Sequence, residues 1–278
     1  MSRKITAVDW DAVFERELAR ASFSAEGAAH WDKLASHMCG GGKQNRFTAE
    51  TLKRLDIRPH DTVLDLGAGN GGLAIPLARR AAQVTALDIS PRMLSLLQQN
   101  ARDNGVANIV TLERNWQHAD IGSDVPVHDV VVASRCLPLG NLRRSVEKMI
   151  QAARRACYTV WRISSGDDFL AEACRAMGRE YHPFPSYSIF YGLLCDMGVH
   201  ADIQIYATAV QHRHASLEDA IGFHVRGAPI SEKERARLKA HLEGTLQQVD
   251  GVYQWESSMR WALVWWQKEE QKEKKLAV

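Results

Sequence analysis

Three glycines at alternate positions form the first group of residues that could do chemistry. Gly67, Gly69 and Gly71 follow directly on the apolar run Thr62–Leu66 and lead into a segment of helical character. Because glycine has no side chain, the backbone of such a strand-to-helix turn can approach a ligand closely. The spacing from Gly67 to Gly72 also satisfies the dinucleotide fingerprint, in which a pyrophosphate binds at the helix N-terminus. The glycines alone therefore leave open a dinucleotide, another adenosyl ligand, or a tight turn that binds nothing.

Two acidic residues near the glycines narrow the choice of ligand. Asp88 ends the second apolar run, 21 positions after Gly67, where its carboxylate can accept hydrogen bonds from both ribose hydroxyls of an adenosyl group. Asp65 lies inside the first run, and an anion there repels a phosphate but favours a ligand that carries an ammonium and a sulfonium. The sequence therefore favours S-adenosylmethionine (SAM) over NAD as the cofactor.

The glycines and the two acids fall within a longer pattern. The run Asp65-x-Gly67-x-Gly69-x-Gly71, followed by Leu87-Asp88-Ile89-Ser90-Pro91-x-Met93, resembles the class I SAM-dependent methyltransferase family, and the match covers residues 31–163. The resemblance implies a Rossmann-like fold, SAM as the cofactor and an enzyme that transfers a methyl group. The cofactor contacts that it implies are Asp65, Gly67, Ala68, Gly69 and Gly71 for the methionine part, Asp88 for the ribose, and Ile89 and Met93 for the adenine edge.

The loop after the third apolar run departs from the family pattern. Family members commonly have an acidic residue there that contacts the adenine amino group, whereas this chain has Asn115 and Trp116. An asparagine side chain can still accept a hydrogen bond from that amino group, and a tryptophan ring can stack on the adenine. Ordinary packing of the loop is the alternative. We predict that both residues contact the cofactor.

Alternating strands and helices have to hold these residues in place. Short β-branched or apolar runs recur along the chain, and segments of helical character separate them, which is typical of βαβ units. The helix after the second run is delimited by Ser90 as N-cap, Pro91 at its first position and Gly105 at its end. We therefore predict an α/β fold with a doubly wound, mainly parallel, seven-stranded sheet. The predicted strands are residues 62–66, 83–87, 109–113, 129–133, 157–163, 201–210 and 252–266.

Helical cap elements are predicted at the N-terminus and between the last two strands. A glycine-rich break at residues 39–43 interrupts the N-terminal helices. Before the last strand, Ser216 and Ser231 can each cap a helix, over residues 216–224 and 231–248. The predicted organisation is an N-terminal cap at 1–56, a SAM-binding core at 57–267 with substrate-cap insertions at about 168–190 and 216–250, and a charged tail at 268–278.

The end of the fourth strand should lie beside the substrate, because ligands of such sheets bind where the strand order reverses. Ser134, at that end, is predicted to contact the cofactor. Arg135 is a catalytic candidate that can pair with a substrate carboxylate or phosphate, although an exposed loop arginine explains it equally well. Cys136 can be a thiolate nucleophile of the kind used in cytosine C5 methylation, but we favour a buried thiol.

Aromatic and histidine side chains supply the remaining catalytic candidates. Methyl transfer from a sulfonium mainly requires an acceptor that is held in line with the methyl group and shielded from water. Residues 181–191 contain the densest aromatic cluster and suit an organic substrate, with Tyr181 and His182 as candidates for a general base. Helical packing explains part of this segment equally well. His37 can close over the cofactor or lie on a plain amphipathic helix.

Composition limits the class of protein. The chain has 278 residues, of which 45% are hydrophobic, and a formal net charge of +2, so a globular protein is indicated and a nucleic-acid partner is not. Five scattered cysteines without C-x-x-C spacing argue against disulfides and structural zinc. His212 and His214 lack acidic or cysteine partners nearby in sequence, so no metal is predicted. Without a signal-peptide core or a membrane-spanning run, we expect a cytoplasmic protein.

Three functions are compatible with these residues. The leading prediction is a SAM-dependent methyltransferase that acts on a small molecule, by in-line attack on the sulfonium methyl group. The second is an RNA or protein methyltransferase, which would need a basic or peptide-sized groove beside Arg135. The third is a regulator that binds SAM without catalysis, because the motif reports binding alone. The sequence does not specify the substrate, the acceptor atom or the oligomeric state.

Overall fold

The computed structural model describes residues 8–22, 27–35, 45–136, 141–164, 169–225 and 229–268. His37, the glycine-rich break at residues 39–43 and the charged tail after Lys268 lie outside the described residues. In the described part of the chain, every helix is too short or too polar to cross a lipid bilayer.

One mixed sheet forms the centre of the described structure. Its strands are β1 (Thr62–Leu66), β2 (Gln83–Asp88), β3 (Ile109–Glu113), β4 (His128–Ser134), β5 (Ala153–Ile163), β6 (Asp202–His214), β7 (Gln247–Val249) and β8 (Val252–Gln267). They lie in the order β3-β2-β1-β4-β5-β8-β6, and β7 pairs with β8 beyond this path. Strands β1 to β5 are parallel, whereas β8 is antiparallel to both β5 and β6. The predicted doubly wound, mainly parallel sheet of seven strands is confirmed, with β7 as a short addition.

The parallel strands form because their side chains are apolar on both faces. Val63 and Leu64 of β1 and Val130 and Val131 of β4 are all 0% exposed. Such continuous apolar runs are typical of parallel strands, which helices cover on both sides. Because β1 pairs with β2 on one side and β4 on the other, the strand order reverses there and a crevice opens at the carboxyl ends of β1 and β4.

Helices pack on both faces of this sheet. They are α1 (Trp10–Arg20), α2 (Gly27–Ala35), α3 (Arg46–Leu52), α4 (Ala74–Ala78), α5 (Pro91–Asp103), α6 (Leu142–Ala152), α7 (Phe169–Met177), α8 (Tyr187–Asp196), α9 (Leu217–Val225) and α10 (Glu232–Thr245). On one face, Trp161 of β5 packs on Phe14 of α1 and Phe190 of α8. On the other face, Trp261 of β8 packs on Phe47 of α3. These ring contacts attach helices from distant parts of the chain to the sheet.

The end of α10 differs from the sequence-based prediction. The helix expected over residues 231–248 ends at Thr245, because the next residues pair with β8 as strand β7. Asp250 and Gly251 form the turn between β7 and β8, and both have a positive φ, 50° and 77°. Two such residues allow the tight turn of a β-hairpin. The chain therefore leaves the helix early to form a hairpin.

One other boundary was also predicted wrongly, and one helix begins at a residue for which no boundary was predicted. The apolar run of β6 ends at Val210, but the strand continues to His214 because the first residues of β8 pair with it. Within the aromatic segment 181–191, helix α8 begins at Tyr187, and the side chain of Ser186 caps it by accepting a hydrogen bond from Ser188 N. In both places a long-range pairing or a local cap decides the element, rather than the hydrophobic pattern.

The N-terminal helices pack on the core in separate places. Trp10 of α1 lies against Gly192 of α8, where a Cβ would come within 2.6 Å of its ring. Asp32 of α2 accepts hydrogen bonds from Ser90 Oγ (2.5 Å) and Arg92 N (3.3 Å) at the start of α5. A carboxylate at a helix N-terminus is stabilised by the helix dipole. This contact places α2 next to the end of β2, where Asp88, the residue predicted to bind the ribose, lies.

Candidate functional site

The glycine turn after β1 has a backbone that side chains would disturb. Gly67, Gly69 and Gly71 have φ of 63°, 55° and 89°, in the left-handed region that favours glycine. A Cβ at Gly67 would lie 2.4 Å from the Cβ of Cys136, so the loop after β4 crosses directly over the turn. At Gly69, by contrast, no described heavy atom lies within 4 Å of the corresponding position. The turn is packed at one glycine and open at the next, as a ligand cradle requires.

Asp88 connects the end of β2 to this turn. Its Oδ2 accepts a hydrogen bond from Gly69 N (2.8 Å) and its Oδ1 from Ser90 N (2.9 Å). Burial raises the pKa of this carboxyl, and the backbone hydrogen bonds from Ser90 and Gly69 oppose that rise. A ligand at the turn would therefore meet a carboxylate that is already oriented by the backbone.

Two buried polar atoms in the crevice lack a hydrogen-bond partner within the described part of the chain. They are Oδ2 of Asp65 and Oγ of Ser134, and they lie on neighbouring strands, since β1 pairs with β4. Burial, followed by the charge of Asp88, raises the pKa of Asp65 to about 8. An unpartnered buried polar group costs about 1–3 kcal/mol. A ligand with hydrogen-bond donors and positive charge would remove that cost, so these residues fit the methionine end of SAM.

The residues of the predicted adenine edge lie in different surroundings. Ile89 is partly exposed, whereas Met93 is buried in the first turn of α5, where its N donates to Ser90 Oγ (3.0 Å). Asn115 is partly exposed, and its Oδ1 accepts a hydrogen bond from Gln117 N (2.9 Å). Asn115 Oδ1 keeps a second lone pair for an adenine amino group. Contacts of Ile89, Met93 and Asn115 with the cofactor stay predictions.

Trp116 does not lie where an adenine could stack on it. The residue is 1% exposed and belongs to the hydrophobic core under α6. Lys148 of α6 donates a hydrogen bond to the Trp116 carbonyl, and its Nζ lies 4.7 Å from the centre of the indole ring. A ring that is covered by the core and by Lys148 has no face for a ligand. The predicted stacking role of Trp116 is therefore wrong, and the alternative of loop packing is correct.

The segment of the chain that carries the predicted cofactor residues matches a known family. Residues 63–159, which contain the glycine turn, Asp65 and Asp88, match the family model described as a methyltransferase domain. The chain belongs to the class I SAM-dependent methyltransferases. It is therefore an enzyme, and its cofactor is SAM.

Matches to individual proteins extend this result to the fold. An uncharacterized protein of Haemophilus influenzae is 31% identical to the methyltransferase over 247 residues, which cover 85% of this chain and 88% of that protein. A candidate methyltransferase of Bacillus halodurans has the same fold, with a TM-score of 0.56 and 14% sequence identity over 80% of this chain and 98% of that one. A mitochondrial ribosomal RNA small subunit methyltransferase of Arabidopsis thaliana is 35% identical over 89 residues, 32% of this chain and 23% of that protein. The first two matches span most of the chain, whereas the third is confined to part of it.

The affinity of the methyltransferase for SAM is expected to rise with pH until about pH 8, the pKa of Asp65 in the free protein. The positive charges of SAM stabilise the ionised carboxyl, so the pKa of Asp65 is lower in the complex. Between the two pKa values binding releases a proton, and each pH unit strengthens binding by up to about tenfold. Calorimetric titration with SAM at several pH values measures this slope. The Asp65→Asn variant should lose it, and equal slopes in both proteins would contradict the role of Asp65.

The thiol of Cys136 lies in this crevice. Its Sγ donates a hydrogen bond to Leu66 O (2.9 Å), the last residue of β1. Burial, followed by the charges of Asp65 and Asp88, raises the pKa of the thiol. Because the thiolate is the reactive form of cysteine, both features disfavour a nucleophilic role. They favour the alternative of an unreactive thiol, although the residue is half-buried rather than buried.

Arg135 directly follows β4 and lies over two aromatic rings. Its N donates a hydrogen bond to Val160 O (3.0 Å) of β5. The central carbon of its guanidinium lies 4.5 Å from the ring centre of Phe47 and 5.8 Å from that of Trp261. These rings belong to α3 and β8, so no local sequence signal could have linked them to Arg135. The residue is exposed to solvent.

The aromatic segment 181–191 does not form a single substrate pocket. Tyr181 packs against the hydrophobic cluster of α7, α9 and α10. Ser22 N donates a hydrogen bond to His182 O (3.0 Å), and His182 N donates one to Ser22 Oγ (2.9 Å). The Nε2 of His182 lies 3.6 Å from Oε2 of Glu180. Phe184 belongs instead to the side of the sheet covered by α1 and α8. The structure therefore contradicts a shared pocket with Tyr181 and His182 as its general bases.

One pocket lies at the carboxyl end of β5. It has a volume of about 250 Å³, and its described walls include Phe184, Tyr187 and Ile189 from the aromatic segment. Helix α1 supplies Val13 and Glu17. An N-terminal helical cap was predicted to help form the substrate pocket, but these two residues were not, because nothing in the sequence of α1 distinguishes them from those of any amphipathic helix.

The described residues contain no group of three histidine, cysteine, aspartate or glutamate side chains that could hold a metal ion. His212 and His214 instead stack on Trp255, with ring centres 4.0 and 5.4 Å apart. Burial, followed by the neighbouring charges, lowers the pKa of His212 to about 4. A histidine with such a pKa is neutral at physiological pH, which suits its place in an aromatic cluster.

Proposed function

We propose that the methyltransferase acts on a small organic molecule bound at the carboxyl edge of the sheet. The observation that carries this proposal is the pocket of about 250 Å³ at the end of β5. Small-molecule sites commonly have about 300–1,000 Å³ and mostly apolar walls with a few polar groups. This pocket is slightly smaller, which suits a small acceptor, and its charged residues are Glu17 and Arg162. Ser134 of β4 pairs with Val160 of β5, so the pocket and the cofactor crevice lie at the ends of neighbouring strands.

The residues of this chain would bind, orient and shield the reactants. SAM, when bound, supplies an electrophilic methyl group, so the enzyme mainly has to hold an acceptor in line with it. Asp65 and Asp88 would hold the cofactor. Phe184 and Tyr187 would position the acceptor and exclude water from it. Cys136, whose thiol has a raised pKa, would take no part in the transfer.

An RNA substrate is the second candidate, because part of the chain matches a ribosomal RNA methyltransferase. A groove for RNA needs basic side chains that are free to contact phosphates. Arg143, Arg154 and Arg155, however, are each paired with aspartates. Arg154 and Arg155 also lie at the start of β5, at the edge of the sheet opposite the crevice. The charge distribution therefore favours a small molecule.

Incubation with methyl-labelled SAM tests the substrate class. We expect the label to pass to a compound in a low-molecular-weight metabolite extract, with formation of S-adenosylhomocysteine. Parallel incubations with total RNA and with protein should leave those fractions unlabelled. Label in RNA or in protein, with none in the metabolite fraction, would contradict the proposal.

Replacing Tyr187 by alanine is expected to lower turnover by about tenfold, because the acceptor loses a wall that aligns it. The affinity for SAM, measured by calorimetry, should stay unchanged. Tyr191→Ala is the matched control: Tyr191 lies on the same helix and packs on the core, but it is not among the described residues that line the pocket. An equal loss of turnover in both variants would show a general packing effect and contradict the role of the pocket.

A further inference from the structure

The backbone at Arg135 is strained for a residue with a side chain. In the described part of the chain, the non-glycine residues with a positive φ are Arg135 (59°) and Asp250 (50°). The hairpin turn between β7 and β8 accounts for Asp250, whereas Arg135 ends a strand of the parallel sheet. Such a conformation costs about 1–3 kcal/mol and persists where the surrounding structure enforces it. At Arg135 this backbone conformation places the charged side chain over the rings of Phe47 and Trp261, which form a platform under it.

The platform under the guanidinium is rigid. Phe47 is 7% exposed and Trp261 is 3% exposed, and their ring centres lie 4.3 Å apart. Trp261 is also held by a hydrogen bond from its Nε1 to Thr208 Oγ1 (2.8 Å). A guanidinium over aromatic faces gains about 0.5–2 kcal/mol from the cation–π interaction and keeps its N–H groups for other partners. Within the described residues, the guanidinium of Arg135 is thus oriented by ring contacts and not by hydrogen bonds of its own N–H groups.

The charge of Arg135 is not balanced by a described carboxylate. Its neighbouring titratable groups are Tyr206 and Cys136, and desolvation by the surrounding protein lowers its pKa even though the residue is exposed. Arg54 offers a contrast, since it also lies over a ring, that of Tyr206, but pairs with Glu50 at 2.8 Å. A cation that is partly desolvated and lacks a counter-ion gains free energy when an anion binds.

We propose that Arg135 is the receptor for an oxyanion, either a carboxylate or a phosphate, in the active-site crevice. The planar guanidinium matches both groups through two parallel hydrogen bonds. Asp88 lies elsewhere in the crevice, as does Asp65, which ionises when the positive charges of SAM bind, so a cation and an anion would be held in different places. The oxyanion comes either from the acceptor, in which case the inference rests on the proposed function, or from the carboxylate of SAM itself.

Arg135→Asn is the variant that tests this proposal. Asparagine tolerates the left-handed region better than most residues with a side chain, so the fold should be kept. Arg135→Gly is a second variant, which relieves the strain and should be at least as stable as the native protein. Arg54→Asn is the control, because it removes the same charge from a neighbouring arginine that already has a partner.

Calorimetry with four probes distinguishes the two sources of the oxyanion. Benzoate and its neutral analogue benzamide are titrated into the protein loaded with S-adenosylhomocysteine. If the acceptor supplies the oxyanion, benzoate binds, benzamide does not, and both Arg135 variants weaken benzoate by about tenfold or more. If SAM supplies it, the variants weaken S-adenosylhomocysteine by about tenfold or more, but not 5′-methylthioadenosine, which lacks the carboxylate. Arg54→Asn should change none of these affinities.

The proposal is overturned if both Arg135 variants bind S-adenosylhomocysteine as the native protein does and benzoate binding is absent or unchanged. It is also overturned if benzamide binds as well as benzoate does and S-adenosylhomocysteine is unaffected, because charge would then play no part. A methyltransferase that binds these probes as expected but labels only RNA would contradict the proposed function and leave the receptor role of Arg135 intact.

Discussion

Replacing Asp88 by asparagine is expected to raise the dissociation constant for SAM by about 100-fold, the equivalent of two charge-assisted hydrogen bonds of roughly 1.5 kcal/mol each. The carboxylate already accepts hydrogen bonds from Gly69 N and Ser90 N and keeps lone pairs for the ribose hydroxyls. An amide has one oxygen and one NH2 group, and the NH2 group cannot accept a hydrogen bond. Either a backbone N–H of the turn or a ribose hydroxyl would therefore lose its acceptor. Calorimetry with SAM and with S-adenosylhomocysteine measures the change.

Asp129→Asn provides the matched control for Asp88. Asp129 likewise accepts a hydrogen bond from a backbone N, that of Thr62 (2.8 Å), but it lies near the start of β4, at the opposite edge of the sheet. Its replacement should lower stability without changing the affinity for SAM. A similar loss of affinity in both variants would mean that Asp88 acts through the fold and not through the ribose.

The Gly67→Ala variant is expected to lose about 3 kcal/mol of unfolding free energy. Of this, about 1 kcal/mol comes from the left-handed backbone and about 2 kcal/mol from overpacking. The new Cβ would lie 2.4 Å from the Cβ of Cys136, an atom that cannot move without the loop after β4. Urea unfolding, monitored by tryptophan fluorescence and circular dichroism, measures the loss.

Alanine variants of two other glycines measure the cost of the left-handed backbone without a collision of the new Cβ. Gly69 and Gly105 have φ of 55° and 65°, and no described heavy atom lies within 4 Å of a Cβ at either position. Each alanine variant should therefore lose only about 1 kcal/mol. Gly69→Ala should also weaken SAM binding, because its Cβ enters the cradle, whereas Gly105→Ala at the end of α5 should not. Equal stability losses at Gly67 and Gly105 would contradict the collision with Cys136.

Local sequence patterns were sufficient for much of the cofactor site. The glycine turn and Asp88 meet in the structure through the hydrogen bond from Gly69 N, and Ser90 caps α5 as its sequence indicates. These features could be predicted because a strand, a turn and a helix N-terminus are made by neighbouring residues, whose backbone preferences do not depend on the rest of the chain. The βαβ rules then bring the ends of β1 and β2 together.

Side-chain environments could not be predicted in the same way. Trp116 has the composition of a stacking residue, but Lys148 and the core cover it. Tyr181 and Phe184 are close in sequence, yet they pack into different clusters. Whether a side chain faces a ligand or the core depends on residues far away in sequence, and hydrophobicity alone favours both positions.

The sequence by itself determined the glycine turn after β1, its acidic partners and the doubly wound, mainly parallel sheet, and with them the SAM-dependent methyltransferase family. It did so because backbone conformation and strand pairing follow from short-range preferences and general topological rules. Only the tertiary structure decided which side chains surround the crevice. It placed Arg135 on the rings of Phe47 and Trp261, set the thiol of Cys136 against the Leu66 carbonyl and brought α1 to the pocket at the end of β5. These arrangements result from side-chain packing, which depends on residues from the whole chain. The side chains packed in this way form the surfaces that would contact a substrate.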